Sequence, residues 1–304
     1  GFRAAIPKGK EGTELAEMVE LARHGAVAFT DDGSPVLSAG LLRRALQYAA
    51  VADRVLALHE EDASLSRDGQ MHEGAVSAEL GLAGWPSVAE STMIERDTAL
   101  AAYEQRPLHI MHVSALESVA AVRAAKHRGT AVTAEVTPHH LCLTDDAVRS
   151  LDPNLKMNPP LRSETDRQAL VDGFRDGTLC CLATDHAPHA RHEKEAPFED
   201  APFGVTGLET AFAALYTHLV EPGELELSTV LERMSAGPAR AFGLPQPRIA
   251  VGEPANVVLL DLEAEWRVSP EAFRSRSVNS WLTGRTLRGV VVKTVAGGRV
   301  VHAL

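Results

Sequence analysis

Residues 180–195 read CCLATDHAPHARHEKE: a short apolar run, then Asp185, His186, His189 and His192, then a charged stretch. A short apolar run closed by polar residues fits a strand buried on both faces. The polar residues gather at its C-terminal end, where a parallel strand gives way to a loop. The question is whether other runs end in the same way.

Five other short apolar runs recur along the chain, and some of them do: GFRAAI (1–6), AVAFTD (26–31), VLALHE (55–60), LHIMHV (108–113) and AVTAEVT (131–137). Helical patterns lie between them. Over Thr13–His24, Leu15, Met18, Val19 and Ala22 share one face and Gly25 supplies the stop. Ser114 and Glu117 have capping-box spacing ahead of a helix that closes at Gly129, and Ser163 with Asp166 opens another in a similar way. Buried strands alternating with crossover helices predict a parallel α/β architecture, an open sheet or a barrel. From about Val251 the texture changes to EPANVVLLDL and TLRGVVVKTVAGGRVVH, dense in valine with a Gly297-Gly298 turn, which predicts antiparallel strands. The expected division is an α/β barrel over residues 1–245 and a small β domain over 246–304.

Composition narrows the partners. With 304 residues, 45% of them hydrophobic, the chain can bury a large core. A net charge of −11 argues against nucleic acid or an anionic membrane as main partner. Cys142, Cys180 and Cys181 make no disulfide framework, which fits a reducing cytoplasm. No apolar stretch approaches the roughly 20 residues of a membrane span. The chain opens on Gly1 with no leader pattern, so the numbering is expected to begin inside a longer protein.

Four strand ends carry residues able to bind a metal: Asp31 and Asp32, His59, His112 and Asp185. A single histidine on a strand is more often a hydrogen-bonded core residue, and an Asp-Asp-Gly is more often a turn. The coincidence changes the balance, since packing alone favours valine at such places. In a barrel of parallel strands these ends share one rim, so residues far apart in sequence become neighbours. Imidazole and carboxylate together suit zinc or a similar divalent ion.

The motifs FTDDGSP, LHEED, HIMHVS, AEVTPHHL, KMNPPLR, ATDHAPH and APFGVTGLET, in this order, resemble the amidohydrolase superfamily, and within it the long, class I bacterial dihydroorotases. The resemblance implies a TIM-like (β/α)8 barrel with a small C-terminal β domain. It implies reversible, zinc-dependent cyclisation of N-carbamoyl-L-aspartate to L-dihydroorotate in pyrimidine synthesis, with one or two zinc ions per subunit. Asp32 becomes the bridging carboxylate, preferred to Asp31 from the family pattern alone, where hydantoinases carry a carboxylated lysine. His59 and His112 become ligands, and Asp185 a ligand that also shuttles protons. Asn158, His189 and Gly204 match substrate-holding positions. His139, His140, His186 and His192 are not ligands in this mapping, His140 being either structural or a support behind the ligands, and Arg191–Gly204 is a mobile cover.

The family's His-x-His strand and the arginine after it have no counterpart before Asp32. Six of eight barrel strands are therefore expected, with residues 1–6 and 180–186 at the two edges, and the chain alone is expected to be inactive. Two alternatives follow: a non-catalytic subunit supporting aspartate carbamoyltransferase, or a hydantoinase or allantoinase acting on another cyclic amide. A homodimer is also compatible with the resemblance.

Overall fold

Six of the apolar runs are strands, and they lie side by side in chain order. The computed structural model describes residues 2–10 and 12–304. The strands are β1 (Phe2–Ala5), β2 (Ala26–Thr30), β3 (Val55–Leu58), β4 (Leu108–Ile110), β5 (Val132–Val136) and β6 (Cys181–Leu182). They form one sheet, β1-β2-β3-β4-β5-β6, with every neighbouring pair parallel and the expected runs at its two ends. All four residues of β3 are buried, as a strand covered on both faces requires.

The sheet is curled. Arg3 on β1 reaches Glu135 on β5, Nη1 to Oε1 3.9 Å, although four strand spacings in a flat sheet would separate them by about 19 Å. Glu135 also accepts from His109 Nε2 at 3.0 Å, so the concave interior carries a buried polar network among its aliphatic side chains.

Five helices supply most of the crossovers: α1 (Met18–Arg23), α2 (Ala39–Ala52), α3 (Val88–Glu104), α4 (Leu116–His127) and α5 (Glu164–Asp176). In α2, Ser38 caps the N-terminus by accepting from Leu41 N, and Leu41, Leu42, Ala45, Leu46 and Ala49 form the buried stripe. Burial of a leucine such as Leu46 contributes about 1.5–3 kcal/mol. The Ser163–Asp166 capping box opens α5 as expected.

Two expectations are corrected. The first helix begins at Met18 rather than Thr13, because Lys8 N donates to Glu14 O and Ala16 N to Ile6 O, which takes the preceding residues into a turn beside β1. Ser114 does not cap α4. Its N-cap is Ala115, and Ser114 gives both its amide and its hydroxyl to the buried carboxylate of Glu90.

These elements belong to a first compact unit, Gly1–Ser150 with Met157–Ala183; the second comprises Leu151–Lys156 and Thr184–Leu304. The second unit contains the antiparallel sheet of β7 (Val257–Arg267), β8 (Thr286–Ala296) and β9 (Arg299–Ala303), in the order β9-β8-β7. Gly297 and Gly298 turn β8 into β9 with φ of 55° and 75°, the left-handed pair that a tight hairpin needs. Gly289 has a second reason to be glycine: a Cβ there would lie 3.0 Å from the Phe212 ring. Among the described residues, no helix is long and apolar enough to cross a membrane.

Candidate metal centre

The chain leaves β2 through Thr30, Asp31 and Asp32, and the two aspartates turn opposite ways. Asp31 is buried; its Oδ1 accepts His59 N at 2.8 Å and its Oδ2 accepts Val36 N at 2.9 Å. Burial pushes its carboxyl up to about 6, against these two amides. Asp32 instead presents its carboxylate to the histidines. A hydrogen bond from His112, aided by the nearby His59 and Arg3, outweighs burial and holds it down to about 2. It stays ionised at any neutral pH.

His59 follows β3 and His112 follows β4, and both are buried. Their rings meet edge to face, with His59 Nδ1 3.1 Å from His112 Nε2. Asp32 Oδ1 lies 3.9 Å from each of those nitrogens. A triangle with sides of 3.1, 3.9 and 3.9 Å has a circumscribed circle of radius about 2.1 Å, the usual distance from zinc to imidazole nitrogen or carboxylate oxygen. The donor set therefore fits a zinc-like divalent ion.

The tautomer supports the same fit. His59 Nε2 lies 2.9 Å from Glu61 Oε2, and a carboxylate can only accept, so the ring proton sits on Nε2 and the Nδ1 lone pair faces the triangle. His112 has φ of 30°, a left-handed conformation that costs a non-glycine residue free energy and that recurs at functional sites. Ser114, two residues on, is fixed by Glu90 and accepts from Arg162 Nε at 3.1 Å, which anchors the segment carrying that strain.

The other residues singled out from the sequence fall in two places. Asn158 lies in the first unit, and its Oδ1 is buried with no partner among the described residues. His140 is enclosed: Nε2 donates to Pro159 O at 2.9 Å and Nδ1 pairs with the Thr137 hydroxyl at 2.8 Å. Asp185, His189 and Gly204 belong to the second unit. Asp185 follows β6 with φ of 44°. His189 Nε2 donates to Phe203 O at 2.8 Å, and its amide donates to Asn279 Oδ1 at 3.2 Å. Gly204, with φ of 103°, donates to Lys156 O at 2.8 Å, and a Cβ there would meet that of Ala187 at 2.6 Å. His186 Nδ1 accepts from the Gly207 amide at 3.1 Å, a structural bond.

The stretch Arg191–Gly204, expected as a mobile cover, is braced by two buried lysines. Lys156 Nζ donates to Phe198 O and Glu199 O, each at 2.8 Å. Lys194 Nζ donates to Pro153 O at 2.9 Å and Pro202 O at 2.7 Å, and burial, together with the charge of Lys156, lowers it to about 8.

Sequence reading passed over two residues of this centre, Glu61 and Glu90. The only signal for Glu61 was an acid two places after a strand-end histidine.

The chain matches the amidohydrolase family over residues 3–301. It is 49% identical over 300 residues to a dihydroorotase of Anaeromyxobacter dehalogenans (strain 2CP-C), covering 98% of this chain and 69% of that one. It is 47% identical over 298 residues to a dihydroorotase of Geobacillus sp. (strain WCH70), covering 98% and 70%. Among solved structures, L-hydantoinase (dihydropyrimidinase) from Arthrobacter aurescens superposes with a TM-score of 0.85 at 28% identity, over 94% of this chain and 67% of that one. With its parallel strands in barrel order, its candidate ligand residues at successive strand ends and these matches over nearly its whole length, the chain belongs to the amidohydrolase family, among the dihydroorotases.

Proposed function

We propose that this protein is a metal-dependent dihydroorotase, interconverting L-dihydroorotate and N-carbamoyl-L-aspartate, with zinc held by Asp32, His59 and His112. The observation that carries the reading is the triangle of two imidazole nitrogens and one ionised carboxylate oxygen on three consecutive strand ends. A divalent ion held there polarises an amide carbonyl and lowers the pKa of water from 15.7 towards about 7.

In the hydrolytic direction water adds to the ring amide carbonyl, the carbon–nitrogen bond breaks, and the nitrogen leaves with a proton. Asp185 is proposed to carry that proton from the water to the ring nitrogen, and to carry it back in ring closure, when the carboxyl group loses water. The family resemblance and its strained place just beyond β6 support this role. Asn158, His189 and Gly204 are proposed to hold the substrate. The Asn158 amide offers a buried acceptor, and the His189 ring is held with Nε2 on Phe203 O and Nδ1 3.8 Å from Glu193 Oε2.

The test is dihydroorotate hydrolysis by the complete polypeptide, stripped by a chelator and then resupplied with zinc. Turnover is expected to vanish and return. Turnover of a hydantoin but not of dihydroorotate would replace this reading with that of another cyclic amidase, as the likeness to a hydantoinase allows. No turnover of either, with binding to aspartate carbamoyltransferase, would make it a supporting subunit.

A further inference from the structure

Cys180 and Cys181 face each other. Successive side chains of a regular strand point to opposite faces, yet Cys180 Sγ lies 3.8 Å from Cys181 Sγ. The reason is local: β6 begins at Cys181, so Cys180 stands just ahead of the pleat. The main chain is pinned on both sides of the pair, with Leu179 N donating to Gly173 O at 2.9 Å, Cys180 N to Ala134 O at 2.9 Å and Ala183 N to Val136 O at 3.0 Å. Lys126 Nζ, from α4, holds the turn that leads in, donating to Gly177 O at 2.9 Å and Thr178 O at 2.8 Å. Cys180 is half-buried, Cys181 is buried, and neither is in a disulfide.

A direct bond between the two sulfurs is a poor use of this geometry. The Cα atoms of neighbouring residues are about 3.8 Å apart, whereas an ordinary disulfide joins Cα atoms about 4.4–6.8 Å apart. An ion placed between the sulfurs removes that conflict. In a tetrahedral site with metal–sulfur bonds of about 2.3 Å, two thiolates stand about 3.8 Å from each other. Cys180 and Cys181 already have that separation.

We propose that Cys180 and Cys181 form a two-thiolate chelate for a soft divalent ion of the zinc and cadmium class, a site built from none of the residues of the Asp32–His59–His112 centre. Thiolate sulfur selects such ions over magnesium or calcium. On binding, two sulfur–metal bonds form, two waters leave the ion and the thiol protons pass to solvent; nothing is oxidised. Two thiolates cancel the double positive charge, so the complex occupies a largely buried place without a net charge to desolvate. The half-buried Cys180 is the point of entry, and the buried Cys181 closes the chelate. Among the described residues the pair is not joined by a third histidine, cysteine or carboxylate. Structural zinc sites have four protein ligands. With two, the ion is exchangeable, and the site fills when soft metal is in excess without serving to hold the fold. This inference does not depend on the dihydroorotase reading.

The test is a cadmium titration of the complete, reduced polypeptide, read by the ultraviolet charge-transfer band that cadmium thiolates give and that carboxylate or imidazole complexes do not. The band is expected to saturate with the intensity of two thiolates on one ion. Cys180→Ser and Cys181→Ser should each weaken this binding about 100-fold or more, because each leaves one thiolate and ends the chelate. Cys142→Ser, on the helical turn Pro138–Cys142, should not move it. No band, a band at parental affinity in either variant of the pair, or a band lost in Cys142→Ser overturns the proposal. If Cys181→Ser, which puts a hydroxyl in a buried place, does not fold, Cys180→Ser at the half-buried position carries the comparison.

Discussion

Asp31 Oδ1 accepts the backbone amide of His59 at 2.8 Å, while the adjacent Asp32 lies 3.9 Å from the ring of the same histidine. One aspartate holds the main chain at the strand end and its neighbour faces the side chain. Their substitutions should therefore fail differently. Asp31→Asn puts an amide NH2 against a backbone donor and should cost about 1–3 kcal/mol in urea unfolding. Asp32→Asn should weaken zinc roughly tenfold or more in competition with a chromophoric chelator, and Asp31→Asn much less. Equal losses of zinc affinity in the two variants would end this division of roles.

Asp185→Asn keeps the shape of the side chain and removes the base. Turnover of dihydroorotate is expected to fall by about 10² or more, with an unchanged circular dichroism spectrum and melting curve. Near-normal turnover would take Asp185 out of the proton path.

Acid should act through His140. Burial pushes its ring down to about 3, against the carbonyl of Pro159, which favours the proton. The unfolded ring titrates near 6.5. Below that pH the unfolded chain takes a proton that the folded chain refuses, so stability drops by up to about 1.4 kcal/mol per pH unit between 6.5 and 3. Above 6.5 the contribution is flat. Comparing urea unfolding at pH 7 and pH 4.5, His140→Gln should lose about 2–3 kcal/mol less than the parent. An identical acid sensitivity in the two proteins would point to other groups.

Lys156→Met removes two ammonium–carbonyl bonds from Phe198 O and Glu199 O while keeping the apolar stem. Bonds to charged groups are worth about 1.5–3 kcal/mol, so local opening should become tenfold or more frequent. Limited proteolysis should cut within residues 197–204 correspondingly faster. A cutting rate like that of the parent would show the segment to be held by other contacts.

The six strands were legible because a strand covered on both faces needs an unbroken apolar run, and the runs ending at Asp31, His59 and His112 have one each. The same patterning made strand-end histidines conspicuous. Which of two adjacent aspartates faces the interior was not legible from composition, because it depends on which backbone amides lie nearby, here those of His59 and Val36. Ser114 misled for the same reason. Its spacing to Glu117 suits a local cap, but a buried carboxylate from α3, that of Glu90, outcompetes a partner in its own turn. Glu61 carried no periodic signal at all.

The sequential strand order has a consequence for synthesis. Asp32, His59 and His112 follow three consecutive strands, so their cluster depends only on pairing between near neighbours in the chain. Strand β6 waits for all of the chain between Val136 and Cys181. At about 5–20 residues per second on the ribosome, the three candidate ligands exist for several seconds before the last strand of the parallel sheet is made. Zinc capture is then expected to be a co-translational event that templates β2, β3 and β4, and pulse-labelled amide exchange on stalled nascent chains should show those strands protected while β6 is still unmade.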